Sequence, residues 1–454
     1  MGVGEEWENH RVSATTPSAP QPTPATTSRA VIDLGAIAHN AAVLAQAAGT
    51  PWMAVVKADA YGHGLEPVAR ACLGAGATWL GVAQLAEALH LRSLLDAAGI
   101  ARPAPEARAL PTPTAPRVLT WLAPVLTPER AAAPGSPLRA AIAADLDLSV
   151  STIDQARAIA AAAEAEGRAA RVHLKADTGM SRAGATDNEL PALAAELAGA
   201  ERAGSLAVVG LWSHLSRADE PDSGSTEDHL ARFHAAADAV AAAGLAPVVR
   251  HLAATGGLLW YPDARLDLVR AGIGLYGLSP DPAVATSAGL GLRPAMRLEA
   301  PLILVKRIPA GQAVSYGGTW TAPTDRWVGL VPLGYADGIP RSASGAPITV
   351  IPSQGDDGAA PAPIHARIVG RVCMDQMVID LGPAAPGGSS APAPAPGARA
   401  GDTAVLWGDG ADPAGIPTAD EWAAVCGTIN YEIVTRLGAR VPRVYLGVAW
   451  EDRV

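Results

Sequence analysis

From residue 52 to 271, short apolar runs alternate with Ala-rich amphipathic stretches, and this alternation constrains the fold more than any other feature of the chain. The runs are WMAVV (52–56), WLGV (79–82), RVLTWL (117–122), LDLSV (146–150), RVHLK (171–175), LAVVGLW (206–212), PVVRHL (247–252) and LDLVRAG (266–272). Between them lie segments such as STIDQARAIAAAAEAEG, where Ser151 or Thr152 is placed to cap a helix and Gly167 to end it. Strand then helix, repeated eight times, predicts an α/β architecture with parallel strands. Eight units favour a closed (β/α)8 TIM barrel over an open doubly wound sheet.

Beyond residue 290 the pattern changes to near-continuous strands: MRLEAPLILVKRI, WVGLVPLGY, HARIVGRVCMDQMVIDL and TAVLWG. The expected organisation is a disordered tail (1–28), a barrel (29–290) and a mostly β C-terminal domain (291–454). Pro, Ala and Gly-rich segments at 101–116, 352–363 and 382–400 read as surface loops or disordered insertions. The tail is acidic and then rich in Pro, Ser and Thr, unlike a signal peptide, and no run reaches the ~20 apolar residues of a membrane span. A net charge of −10 opposes general attraction to nucleic acid or anionic membrane. Cys72, Cys373 and Cys426 offer neither a disulfide framework nor a CxxC metal site, which fits a reducing cytoplasm.

In a parallel barrel the loops after the strands form the catalytic face, so polar residues at strand ends carry the search for chemistry. The first strand runs into Lys57, followed by Tyr61 and His63 in AVVKADAYGHG. A lysine at a partly desolvated barrel mouth can lose its proton and condense with an aldehyde, notably pyridoxal phosphate. The fifth ends in KADTGMSRAG, with Lys175, Asp177 and Arg182: either a surface ion pair or a carboxylate-binding site. The sixth leads to WSHLSRAD, with His214 and Asp219, and the eighth delivers Arg270 and AGIGLYG. Backbone N–H groups at Gly272 and Ile273 are there open to an anion, the phosphate position common to this architecture, although GxG alone usually marks a turn. In the β domain, Tyr316, Tyr431 and Cys373 would each, taken singly, be packing residues.

Taken together, AVVKADAYGHG, KADTGMSRAG, VRAGIGLYGLSP, VSYGGTW, LGYADG, GRVCMDQ and GTINYE, in this order, resemble alanine racemase from about Val31 to Tyr445. The resemblance implies a barrel followed by a β domain, pyridoxal 5′-phosphate as cofactor, and interconversion of L-alanine and D-alanine, with D-alanine supplied to peptidoglycan. It also implies a head-to-tail homodimer in which the β domain of one subunit completes the other's site. By the same resemblance Lys57 holds the cofactor and is the base on the D-alanine side, and Tyr316 from the partner subunit is the base on the L-alanine side. Racemisation needs bases on opposite faces, because one face loses a proton while the other gains one. A free phenol titrates near ~10, so a tyrosine base needs help, and the resemblance supplies His214, linked to Arg270, which donates to the pyridine nitrogen.

The other carried-over roles are Arg182 and the Met374 backbone for the substrate carboxylate, and Lys175, carbamylated in some members, for orienting the arginine, with Asp375 beside Met374. Tyr61, Thr255, Gly272, Ile273 and Tyr431 match phosphate ligands, and Asp219, Tyr335, Arg371 and Ile429 match the substrate access corridor. Two positions depart from the family pattern: Ala254 and Thr255 stand where Asn-Ser is usual, and Ser181 where Gly is usual. A decarboxylase of the ornithine or diaminopimelate type would place a carboxylate against the pyridine nitrogen, against which Arg270 argues. A racemase of serine or of broader specificity, and a non-enzymatic pyridoxal-phosphate binder, are the remaining alternatives; the second would not need Tyr316.

Overall fold

The computed structural model describes residues 27–104, 107–353, 362–384 and 397–447. Almost all of the expected tail, and most of the insertions at 352–363 and 382–400, lie outside the described residues. The first strand is β1 (Arg29–Asp33). Asp33 then caps the helix Leu34–Ala48 by accepting from the Ala36 amide, and Gly49 ends it in the left-handed region. The barrel follows, built from β2 (Trp52–Val55), β3 (Trp79–Gln84), β4 (Arg117–Leu122), β5 (Leu146–Val150), β6 (Ala170–Lys175), β7 (Leu206–Trp212), β8 (Val249–His251) and β9 (Val269–Ala271).

These eight strands form one parallel sheet in the order β8-β7-β6-β5-β4-β3-β2-β9, with helices between them. No ladder joins β8 to β9, but Arg270 N donates to Ala253 O at 3.0 Å and Asp267 N to Arg250 O at 3.1 Å, which nearly closes the barrel. Thr152 caps the helix Ile153–Glu166 and Gly167 ends it at φ 66°, as the sequence pattern predicts. The barrel strands are buried on both faces, outward against helices through residues such as Val118, Leu148 and Leu174. Each such side chain stabilises the fold by about 1.5–3 kcal/mol. Inward, one end is apolar (Met53, Trp79, Leu119, Val249, Leu268), whereas Arg117, Asp147, Arg171, His173, His251 and Arg270 are polar and buried.

The second sheet contains β10 (Met296–Pro301), β11 (Leu304–Ile308), β14 (Arg326–Val331), β15 (Pro347–Ile351), β16 (Ile364–Val369), β17 (Met377–Pro383), β18 (Thr403–Trp407) and β19 (Arg443–Leu446). The short pair β12 (Ala313–Val314) and β13 (Trp320–Thr321) forms a separate hairpin carrying Tyr316 in its loop. The nine-stranded order is β11-β14-β17-β16-β15-β18-β10-β1-β19, so β1 belongs to this sheet, pairing antiparallel with β10 and parallel with β19. The sequence expectation had placed residues 29–33 with the barrel; they precede it in the chain but complete the other domain. The described part of the 101–116 insertion is tied down, with Arg117 donating to Ala107 O at 2.5 Å and Ala109 O at 2.8 Å.

Candidate active site

The polar residues at the strand ends converge on one mouth of the barrel. Lys57 follows β2 and opens a turn in which Ala58, Asp59, Ala60 and Tyr61 all have φ between 52° and 54°. Left-handed backbone costs roughly 1–2 kcal/mol per non-glycine residue, so a run of it must be held from outside. Asp59 Oδ1 accepts from Leu65 N at 2.8 Å, Ala60 N donates to Val56 O at 2.9 Å, and Arg443 Nε donates to Gly62 O at 3.0 Å. Tyr61 stacks on Tyr276 at 4.6 Å, and Tyr276 OH donates to Val55 O at 2.9 Å. His63, singled out with this turn, is wholly buried; burial pushes its pKa to about 4, and its Nδ1 lies 2.8 Å from Tyr61 O. It braces the turn as a neutral ring.

The Lys57 ammonium lies 5.7 Å from the centre of the Tyr61 ring, and burial, with Arg182 and Arg270 nearby, lowers its pKa, while Glu87 opposes the shift. Lys175, at the end of β6, stands 4.4 Å over the Trp212 ring and is lowered to about 8 by burial and by Arg270 and Arg182. Asp177 Oδ1 accepts from Gly179 N and Ser181 N, both at 3.0 Å, shaping the loop that presents Arg182. Ser181 sits at φ 55°, the conformation a glycine would hold at less cost. Lys57, Lys175, Arg182 and Arg270 form no ion pair among the described residues, which leaves four cations at one mouth open to anionic groups.

Arg270 is 3% exposed and is fixed on several sides. Nη1 bonds His251 Nδ1 at 3.0 Å, while Nη2 faces Ser213 O and Leu252 O at 2.8 Å and His214 Nδ1 at 3.0 Å. The guanidinium also lies 5.1 Å over Trp212, and burial lowers its pKa only to about 9, so it stays cationic at neutral pH. A guanidinium only donates, so His214 Nδ1 is an acceptor, and the proton of the neutral ring resides on Nε2. His214 is neutral because burial and the Arg270, Arg182, Lys175 and Lys57 charges depress its pKa strongly. Nε of Arg270 has no hydrogen-bond partner within the described residues.

Opposite lies the Gly272 loop. A Cβ on Gly272 would stand 2.9 Å from Tyr61 Oη, so glycine there admits the phenol. The Gly272 amide, expected to be open to an anion, instead donates to Thr255 Oγ1 at 3.0 Å, whereas the Ile273 amide has no acceptor among the described residues. Asn40 ties this loop to the first helix through Leu275 O at 3.0 Å and Arg293 O at 2.8 Å. Ala254 occupies the cap position of the helix Thr255–Trp260 and gives it no side-chain cap. Tyr431 approaches from the C-terminal domain, its ring 6.3 Å from that of Tyr61; burial, then Tyr61 and Asp219, raise its phenol pKa. Ile429, 61% exposed, precedes it at the cap of the helix Asn430–Thr435.

A second group sits on the β domain. Tyr316 is 72% exposed, Arg371 packs where a Cβ of Gly317 would stand, 3.1 Å from its Nη1, and Tyr335 N donates to Cys373 O at 3.0 Å. Met374 is 53% exposed and Asp375 pairs with Arg440 at 2.8 Å. Among the described residues no hydrogen bond, ion pair or ring contact joins this group to the barrel mouth. The single-residue search of the sequence passed over Asp147, His173 and His251, which lie inside predicted strands; polar residues at alternate positions of otherwise apolar runs are the signal that marks them.

Comparison with known proteins follows this geometry. Residues 32–280 match the family model "Alanine racemase, N-terminal domain" and residues 295–445 "Alanine racemase, C-terminal domain". The alanine racemase of Beutenbergia cavernae is 50% identical over 421 residues, covering 92% of this chain and 98% of its own, and that of Frankia casuarinae is 46% identical over 418 residues, covering 92% and 96%. The crystal structure of alanine racemase from D-cycloserine producing Streptomyces lavendulae superposes with a TM-score of 0.80 at 42% identity, covering 95% of this chain and all of that one. With both domains matched in order, the chain belongs to the alanine racemase family of enzymes.

Proposed function

We propose that the chain interconverts L- and D-alanine with pyridoxal 5′-phosphate as resident cofactor, by two bases drawn from two copies of the chain, in the cytoplasm and in supply of peptidoglycan. The observation that carries this reading is the barrel mouth itself: four cations without ion-pair partners, one of them a lysine whose pKa is lowered by burial. The residues fit the cofactor. Lys57 would hold it covalently; Tyr61, Thr255, Ile273 and Tyr431 surround the place for its phosphate, with Gly272 giving the room. Nε of Arg270 is a donor with no protein acceptor, suited to a ring nitrogen. When bound, the cofactor supplies the conjugated system that delocalises the electron pair left on the substrate Cα.

The chain's own residues do the rest. Arg182 binds the substrate carboxylate, with the Met374 amide as a second contact from the partner copy. Lys57 Nζ, already inclined to give up its proton, exchanges the α-proton on one face. Tyr316 Oη exchanges it on the other, and His214 Nε2–H stabilises the phenolate by donating to it. Arg270, still cationic, keeps the ring nitrogen an acceptor and so limits how far charge is drawn into the ring. Lys175, at about 8, presents enough free amine for carbon dioxide to add as a carbamate with loss of a proton, a negative charge that would hold Arg182. Exposure of Tyr316, Tyr335 and Met374 on the β domain supports their completing a second copy's mouth. Asp219, Tyr335, Arg371 and Ile429 would then border the route inward.

The test is α-proton exchange of both alanine enantiomers in deuterated water, with serine alongside to measure substrate breadth. Exchange of both alanines is expected. Lys57→Ala should abolish the visible absorption of the cofactor-loaded protein, and Tyr316→Phe should keep that absorption while lowering racemisation roughly 10²–10⁴-fold. An unchanged band in Lys57→Ala would place the cofactor elsewhere.

A further inference from the structure

A chain of buried polar groups crosses the barrel interior from β5 to β9. Asp147 on β5 is fully buried, with Arg171 Nε 2.5 Å from Oδ1 and Arg117 Nη1 3.5 Å from Oδ2. His173 Nε2 on β6 lies 3.2 Å from Asp147 Oδ2, and its Nδ1 lies 2.9 Å from His251 Nε2 on β8. His251 Nδ1 is 3.0 Å from Arg270 Nη1. The barrel leaves room for these rings: a Cβ on Gly210 of β7 would stand 2.0 Å from His173 Nδ1. Trp79 meets the edge of His173 at 5.2 Å, and Trp212 lies parallel to His251 at 5.5 Å with an 8° interplanar angle.

We propose that Asp147 is a remote positioning residue for Arg270: through His173 and His251 it sets a one-directional series of hydrogen bonds that fixes the guanidinium and leaves its Nε–H facing the barrel mouth. Only one proton arrangement satisfies the series. Burial opposes ionisation of Asp147, but Arg171, the His173 bond and Arg117 outweigh it and hold the carboxyl well below its usual range, so Asp147 only accepts. His173 therefore donates from Nε2. Burial lowers its pKa further than Asp147 raises it, so the ring is neutral and its Nδ1 accepts. His251, also neutral through burial, must then donate from Nε2 and accept the Arg270 proton at Nδ1. Reversing either ring sets two N–H groups against each other in a space without water-sized slack. In the inward layers of a barrel, where apolar side chains pack well, such a series costs desolvation unless every member is paired. Here every ring nitrogen of both histidines is paired.

This inference rests on the proposed cofactor reading for what Arg270 faces, but not for the series itself, and two measurements separate them. The first uses no cofactor: ¹⁵N spectra of histidine-labelled protein without cofactor should show His173 and His251 as neutral Nε2–H tautomers, and an Nδ1–H or doubly protonated ring at either position would overturn the series. The second is affinity of the cofactor-free protein for pyridoxal 5′-phosphate. His173→Leu keeps the volume but breaks the series and should weaken binding about tenfold, the scale of one lost charge-assisted hydrogen bond. His173→Gln can donate from its amide nitrogen to Asp147 and accept at its oxygen from His251, so it should restore binding to within about twofold. Asp147→Asn, its oxygen held by Arg171, turns an N–H toward His173, reverses the series and should weaken binding as His173→Leu does. Equal affinity for wild type and His173→Leu, or an equal loss in His173→Leu and His173→Gln, would overturn the proposal. Wild-type protein that fails to bind the cofactor at all would instead defeat the reading of the site, with the tautomers still deciding the series.

Discussion

At the barrel mouth single side chains are held in states they would not choose in water, and this has measurable consequences. Lys175 is the sharpest case, because its pKa falls from 10.5 to about 8 on folding. The folded state thus binds fewer protons than the unfolded one between these values, and stability rises with pH across that window. Below pH 8 the full penalty is present; above 10.5 it is gone. Lys175→Met should therefore stabilise cofactor-free protein in carbonate-free buffer by about 2 kcal/mol near neutrality, and the gain should vanish by the upper limit. A gain that persists unchanged at high pH would attribute it to packing. Ser181 makes a second case: Ser181→Gly removes a left-handed non-glycine residue and should raise stability by about 1 kcal/mol in urea unfolding. Most of the candidate site was legible residue by residue, since Lys57, Arg182, His214 and Arg270 all stand at strand ends, where a parallel barrel puts its chemistry. Asp147, His173 and His251 were not, because inside a strand a polar residue looks like a break in an apolar run until the closed barrel gives it partners.

Among the elements, the eight barrel strands were readable because their period of apolar runs and capped helices agrees with one architecture, down to Thr152 and Gly167. The long run 365–381 hid a turn: β16 ends at Val369 and β17 begins at Met377, with the GRVCMDQ segment between them. An apolar run cannot reveal where a chain reverses when the turn residues double as site residues. The left-handed turn after Lys57 was equally hidden, since Ala58, Asp59, Ala60 and Tyr61 favour ordinary helix. Its conformation comes from tertiary contacts, and Asp59 is the one that caps both the turn and the helix Leu65–Gly74. Asp59→Ala should thus cost about 1–2 kcal/mol in stability, as a lost cap does, and also weaken cofactor retention, because Lys57 and Tyr61 flank it. Loss of stability with unchanged retention, measured by equilibrium dialysis, would mean that the turn holds its shape without Asp59.

For the molecule as a whole, two sheets share one chain in a way the sequence order disguises: β1 leaves the β domain, the barrel is built, and the chain returns to close around it with β10 and β19. This threading fixes the two domains to each other, yet Tyr316, Arg371 and Met374 are left on the β domain without contacts to the Lys57 mouth of the same chain. A two-fold dimer resolves the separation, because an isologous arrangement gives each mouth the other copy's β domain. If so, defects in the two bases complement each other. Lys57→Ala and Tyr316→Phe proteins should each be nearly inactive alone, whereas equal mixtures allowed to exchange subunits should recover about a quarter of wild-type activity, half the dimers being mixed and each mixed dimer holding one intact site. The intact site is the one that joins the Tyr316→Phe barrel to the Lys57→Ala β domain. Mixtures that stay inactive, although mass spectrometry shows mixed dimers, would require Tyr316 to serve the barrel of its own chain.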